Sequence, residues 1–333
     1  MKLEDFAYTL PEELIAQYPL KRRDQARLMI INRADGTIGH DTFNNLDQHL
    51  PEQSHIVLNN SKVIPARLFG RRETGGRVEI FVLKEVESGV YETLLRPAKK
   101  LKEGELVSID GGSLVAEIID KERRWVRFNK KNVLNYLEKV GHIPLPPYIT
   151  RDDKAIDRKY YQTVFAQKPG SVASPTAGLH FTDRLLAKLK KNHAMDKVTL
   201  HVNYGTFKPV EEKDITQHQM HFEDYFITKT ALAKIQKSRK MGRKVVAVGT
   251  TSCRVLETIA HNNTLTGSTN IFMYPGYDFK LTDCLITNFH LPHSTLLMLI
   301  YAFGGKKLMQ HAYQEAIKEK YRFYSYGDGM LIL

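Results

Sequence analysis

Three stretches of the chain combine small residues and hydroxyls, two of them with imidazoles, in a pattern that suits ligand chemistry better than packing. "ASPTAGLHFT" (residues 173–182) places Pro175, Thr176 and Gly178 just ahead of His180, at the mouth of a helix that Thr182 caps. Pro175 and Gly178 strip side chains from the backbone. The helix dipole disfavours an imidazolium at its start, so His180 is kept neutral and can accept a proton. "VAVGTTSCRVLE" (246–257) runs from a strand into Gly249, the hydroxyls of Thr250, Thr251 and Ser252, then Arg254 and Glu257. Glycine permits close approach, and hydroxyls hold sugar or carboxylate oxygens. "LITNFHLPHST" (285–295) leaves a strand into a loop bearing Asn288, His290 and His293 before Ser294 caps a helix. Each stretch also has a plain structural reading: a capping turn, a solvent-facing histidine, an ion pair along a helix.

In open α/β sheets, ligands collect beyond the carboxyl ends of strands, where the amides of helix starts are free. The surrounding pattern supplies such a frame. Leu185, Leu186 and Leu189 mark an amphipathic helix, a strand follows at Lys197–Val202, and a helix over about Ala231–Met241 is stopped by Gly242. A strand from Lys244, a helix from about Ser252, strands at "TNIFMY" and "CLITNF", a buried helix from Thr295 and a charged helix over Lys307–Lys320 complete the run. Between Ala66 and Phe128 the texture changes to six short β-rich runs separated by turns at Gly75-Gly76, Ser88-Gly89 and Gly111-Gly112. The fold expected is an α/β main domain (1–62 and 150–333) with an inserted six-stranded β-barrel domain (63–149).

Composition narrows the function. The chain has 333 residues with 49 Lys and Arg against 37 Asp and Glu, a formal charge of +12, which favours a polyanionic partner. Between Lys62 and Lys131 lie 16 basic and 11 acidic residues, so the insert carries part of that excess. The longest apolar run, Leu296–Phe303, is far shorter than the ~20 residues that span a bilayer, and the acidic start offers no signal segment. With Cys253 and Cys284 as the only cysteines, the expected compartment is the cytoplasm, without membrane association. No P-loop, dinucleotide fingerprint, H-E-x-x-H or C-x-x-C motif occurs. Two function classes compete with an α/β enzyme: a metal-dependent hydrolase using His218, His221, His290 and His293, and a non-catalytic RNA-binding module.

Nine segments, "DFAYTLPEELIAQYP", "RLMII", "LNNSKVIPARLFG", "GSVASPTAGLHFT", "HVNYGTFKPV", "HQMHFEDY", "VVAVGTTSCRVLET", "YPGYDFKLTDCLITNFHLPHSTLLML" and "YRFYSYGDGMLIL", are spread in order along nearly the whole chain, from Asp5 to Leu333. Together they resemble the S-adenosylmethionine:tRNA ribosyltransferase-isomerase family of queuosine biosynthesis. The departures are small: Ser174 for alanine, Ser61-Lys62 for Thr-Arg, and Asn203 for glycine. The resemblance implies a transferase-isomerase that moves and isomerises the ribosyl part of S-adenosylmethionine onto 7-aminomethyl-7-deazaguanine at the tRNA wobble position. Epoxyqueuosine-tRNA forms, and adenine and methionine are released. S-adenosylmethionine is a consumed substrate, so no cofactor and no metal are implied, and the expected enzyme is a monomer.

That chemistry can be set against residues. A sulfonium acidifies the ribose C5′ hydrogens, so a neutral, desolvated base is needed, and His180 is the first candidate. Adenine departure calls for an acid or donor, for which His290, Asp283 and Asp328 are candidates whose roles the sequence does not separate. Pro175, Thr176, Gly178, Gly205, Thr206, Thr250, Thr251 and Asn288 are expected around S-adenosylmethionine, with Arg254 gripping its carboxylate and Glu257 its ammonium or a ribose hydroxyl. For the tRNA, Arg322, Tyr324 and Tyr326 can stack on and hold the extruded nucleotide, and Lys62, Arg67 and Arg96 can meet phosphates at the barrel boundary.

Overall fold

The computed structural model of the chain describes residues 1–203, 205 and 210–333. Its central element is a mixed nine-stranded sheet whose middle four strands run parallel: Ala194–Leu200, His55–Asn59, Val245–Val248 and Cys284–Asn288. His55–Asn59, Val245–Val248 and Cys284–Asn288 are buried along their whole length, which is why they read as apolar runs. Their side chains divide by the two-residue period of a strand. Ile56, Leu58, Val246, Val248 and Ile286 join a core on one face with Leu185 and Leu189 of the helix Asp183–Leu189. Val57, Val245, Ala247 and Leu285 join the other face, covered by the helices Lys229–Lys240, Gly249–Asn262, Thr295–Gly304 and Lys306–Lys318. Arg27–Ile31, Ile38–Thr42 and Gly329–Ile332 extend one edge, and Glu223–Ile227 and Thr266–Thr269 the other.

The six runs expected of the insert form a closed antiparallel barrel: Arg67–Arg72, Arg77–Glu87, Val90–Arg96, Leu106–Ile109, Leu114–Asp120 and Trp125–Phe128. Inward residues such as Leu68, Ile80, Val107, Ile118 and Val126 make a separate core, capped by Val133 and Leu137 of the helix Val133–Val140. Gly70 lets two strands close up, since a Cβ there would lie 2.5 Å from Val107 Cγ1. The chain leaves the main sheet through Ser61–Val63 and returns through Lys168–Ser171, and these two short strands pair in parallel.

Two local expectations shift. The strand expected at "TNIFMY" lies instead at Thr266–Thr269; Thr269 Oγ1 bonds Thr258 at 2.6 Å and caps Ile271 N at 3.2 Å, ending the ladder there. The helix expected from Ser252 starts at Gly249, whose φ of +86° turns the chain directly out of the strand. Among the described residues, no helix is long and apolar enough to cross a membrane.

Candidate functional site

Parallel strands Val245–Val248 and Cys284–Asn288 end at the same rim, and "ASPTAG" crosses in front of them. Between these segments lies a cavity of about 90 Å³ that opens at the rim. Pro175, Thr176, Thr250, Thr251, Asn288 and His290 line it, so all three sequence-selected stretches converge there. Tyr324 and Tyr148 form an aromatic wall with ring centroids 4.7 Å apart, and Tyr148 Oη shares a 2.5 Å hydrogen bond with Ser325 Oγ. Tyr324 sits at φ +69°, a costly conformation for a tyrosine and one that clusters at working sites.

The lining has two further properties. It contains no Asp, Glu, Lys or Arg among the described residues, so His290 is its only basic side chain. It also holds three buried polar atoms without partners: Ser174 Oγ, Thr251 Oγ1 and Asn288 Oδ1. Buried polar atoms normally find partners, so three orphans around one cavity point to a polar ligand.

The two central histidines differ in placement. His290 is buried, and with no charged partner desolvation drives its pKa down to about 3, so its ring is neutral. Its Nε2 lies 2.7 Å from Thr287 Oγ1, while its backbone is fixed by Tyr313 and Tyr8 hydroxyls. His180 is equally neutral; burial first, then Arg23 and Arg322, push its pKa to about 3. Its ring, however, stacks on Phe43 at 4.2 Å and turns Nε2 toward Asn288 Nδ2 at 3.1 Å. It lines a smaller recess with Arg23 and Tyr160, on the far side of Ser325 from the main cavity. His180 thus does not line the main cavity, and it touches the lining residue Asn288 instead.

Other expected residues are engaged elsewhere. Asp283 precedes the strand that ends at Asn288, so it lies ~16 Å away at the opposite rim, where its carboxylate accepts from Val245 N at 2.9 Å. Glu257 is two turns into its helix and accepts from the amides of Lys280, Leu281 and Thr282 at 2.7, 3.0 and 2.9 Å. Asp328 ties down the chain with bonds from Arg27 N and Arg322 N at 2.9 and 2.8 Å, and burial raises its pKa. Gly178 is needed for packing, because a Cβ would stand 2.7 Å from Phe165 Cζ. Gly205 abuts His221, and Thr206 lies outside the described residues. Arg254, one turn below Thr250 and Thr251 on the same helix face, pairs with buried Glu223, leaving Nε and Nη2 without partners.

Of the residues expected at the tRNA, Tyr324 lines the cavity, whereas Tyr326 is buried and donates to Asp157 at 2.6 Å. Arg322 is half-buried and bonds the Tyr18 carbonyl. Lys62 pairs with Glu138 at 3.1 Å and Arg67 with Glu79 at 2.7 Å. Arg96 is exposed and, among the described residues, has no carboxylate partner. Arg67 and Arg96 flank a groove closed by Pro147 and Ile149, and the residue between those two is Tyr148 of the cavity wall. The histidines of the hydrolase reading do not gather: His218 bonds Glu212 at 2.8 Å, and no three His, Cys, Asp or Glu among the described residues are grouped to hold a metal ion.

Sequence reasoning missed Ser174, Thr287, Phe43, Tyr148 and Ser325 as parts of the site. Ser174 adjoins a selected residue, and its place beside Pro175 was the available signal. Phe43 and Tyr148 come from distant segments and carry none.

The queuosine biosynthesis protein family model matches residues 3–332. Over the full length of both chains, the sequence is 51% identical to the S-adenosylmethionine:tRNA ribosyltransferase-isomerase of Sulfurihydrogenibium sp. (strain YO3AOP1) and 48% identical to that of Aquifex aeolicus (strain VF5). The crystal structure of S-adenosylmethionine tRNA ribosyltransferase from Thermotoga maritima is similar at TM-score 0.58 and 38% identity, covering 99% of this chain and 100% of that one.

Proposed function

The chain belongs to the queuosine biosynthesis protein family, and on that premise we propose that it is an S-adenosylmethionine:tRNA ribosyltransferase-isomerase whose reaction centre is the cavity at the sheet rim. It moves the ribosyl group of S-adenosylmethionine onto the aminomethyl group of 7-aminomethyl-7-deazaguanine in tRNA, giving epoxyqueuosine-tRNA, adenine and methionine. The single observation that carries this siting is the convergence of Thr176, Thr250, Thr251 and Asn288 on one uncharged cavity with three orphaned polar atoms.

The lining suits a sulfonium. With no charged side chain to oppose it, the cation is met by the π faces of Tyr148 and Tyr324. His290 is the base in this reading, replacing His180. Donating Nε2–H to Thr287 Oγ1 leaves the Nδ1 lone pair to take a proton from C5′. A ring with so low a pKa is a weak base in isolation. Here the proton transfer leaves net charge unchanged, because the sulfonium becomes an ylide as the imidazole becomes an imidazolium. Adenine departs with the glycosidic electron pair and takes the proton held by the His290 imidazolium. The tRNA amine adds to the electron-poor ribosyl framework and passes its surplus N–H proton to the freed imidazole, and methionine leaves with the C–S pair. Holding the three reactants in register supplies much of the acceleration.

Arg254, with two guanidinium nitrogens open, is the proposed partner of the methionine carboxylate. The groove beside Arg67 and Arg96 is the proposed seat of the anticodon backbone, since its wall is continuous with Tyr148. These steps use groups from one chain, as a monomer would supply them.

The test is to incubate the protein with S-adenosylmethionine and tRNA carrying the aminomethyl-deazaguanine, then measure free adenine and the nucleoside mass. Both products are expected, and His290→Ala should lower turnover ~10²-fold or more while S-adenosylmethionine affinity changes little. Full turnover in that variant would remove His290 from the base role.

A further inference from the structure

Asn288 closes the last parallel strand and lines the cavity. Its carboxamide nitrogen lies 3.1 Å from His180 Nε2 and 3.2 Å from the main-chain oxygen of Asp328. A carbonyl oxygen only accepts, so the amide must present its NH₂ to Asp328 and cannot be flipped. The second amide hydrogen then points at His180 Nε2, which must accept it. A neutral imidazole that accepts at Nε2 carries its proton on Nδ1. Phe43, stacked on the ring at 4.2 Å, fixes its plane. Both amide hydrogens are thereby used, and Oδ1 is left buried and without a partner.

We infer that His180 and Asn288 work as one device, in which the histidine is a positioning residue and Asn288 Oδ1 is a fixed acceptor for an N–H or O–H of the bound nucleoside. This rests on the cavity being the S-adenosylmethionine site. Two kinds of donor on the nucleoside part of that substrate share the required chemistry, the exocyclic amine of adenine and the ribose hydroxyls. The device explains why a buried histidine beside the cavity turns away from it: protonated, it would repel the NH₂ it has to receive.

The tautomer is measurable without any ligand. Nitrogen-15 NMR of histidine-labelled protein at pH 7 should show His180 protonated at Nδ1 and bare at Nε2, the minority tautomer of free imidazole side chains; protonation at Nε2 overturns the inference. In calorimetry, Asn288→Ala should weaken S-adenosylmethionine binding by ~10-fold, the usual scale for one buried hydrogen bond. His180→Leu should cause a comparable loss, and His180→Gln, whose Oε1 can stand where Nε2 stood, should recover most of it. If both His180 variants instead lose ~10²-fold in turnover with affinity intact, His180 transfers a proton and the positioning role falls. Analogues with hypoxanthine in place of adenine, or lacking one ribose hydroxyl, identify the donor. The right analogue binds wild type ~10-fold more weakly but costs Asn288→Ala nothing further, whereas equal losses in both proteins for every analogue refute the acceptor role. Adenine release by the wild-type enzyme tests the underlying reaction separately from all these readouts.

Discussion

His180 and His290 are neutral because the interior does not solvate their cations, and this has a consequence for stability. Each has a folded pKa of about 3 against ~6.5 in the unfolded chain, so above pH 6.5 neither state gains from protonation. As pH falls below 6.5 the unfolded chain binds protons that the folded chain refuses, and folded stability drops by ~1.4 kcal/mol per pH unit for each histidine until about pH 3. Urea melts between pH 7 and 5 should show this loss, and His290→Asn should remove about half of it; a melt unchanged over that range would contradict the burial of both charges. At this scale the sequence was informative about type and much less so about direction. Thr176, Thr250, Thr251 and Asn288 are small or polar residues at strand and helix ends, and such residues have few ways to face other than the rim. Asp283 and Glu257 stand in the same motifs, but the sheet's length carries one to the far rim and helix rotation buries the other against three amides. His180's orientation depends on Phe43, and no local pattern encodes that contact.

Elements position those residues, and the short helix Thr176–His180 has the least tolerance. Gly178 faces Phe165 and Thr163 so closely that a Cβ would fall 2.7 and 2.8 Å from their carbons. Gly178→Ala should therefore destabilise the protein by ~1–3 kcal/mol and, by displacing Thr176, weaken S-adenosylmethionine binding as well. Thermal melts and calorimetry check both, and a neutral substitution would show that the helix yields easily. The barrel strands were legible in advance because inward and outward residues alternate and glycine turns separate them. The strand expected over "TNIFMY" was not, since its apolar residues pack on the core from irregular chain and Thr269 ends the ladder early. Hydrophobicity alone does not distinguish those outcomes.

At the scale of the molecule, a charge of +12 predicts that tRNA affinity depends steeply on salt. Raising salt from 50 to 200 mM should weaken binding ~10-fold or more, and Arg96→Ala should reduce the slope of log affinity against log salt by about 1 if it contacts a phosphate. An unchanged slope would place the anticodon backbone on another face. The α/β frame and the inserted barrel were both readable from the order of patterns, but the nearness of groove and cavity was not, because it depends on Tyr148 of the returning segment lining the cavity while Pro147 and Ile149 line the groove. Ser61–Val63 and Lys168–Ser171 lie side by side, so everything from residue 64 to 167 departs and returns at one point of the sheet. Evolution can exchange such an excursion between relatives without rethreading the parent fold. Yet the excursion brings Tyr148 with it, so a chimera would inherit the proposed RNA platform and one wall of the cavity as a single heritable unit.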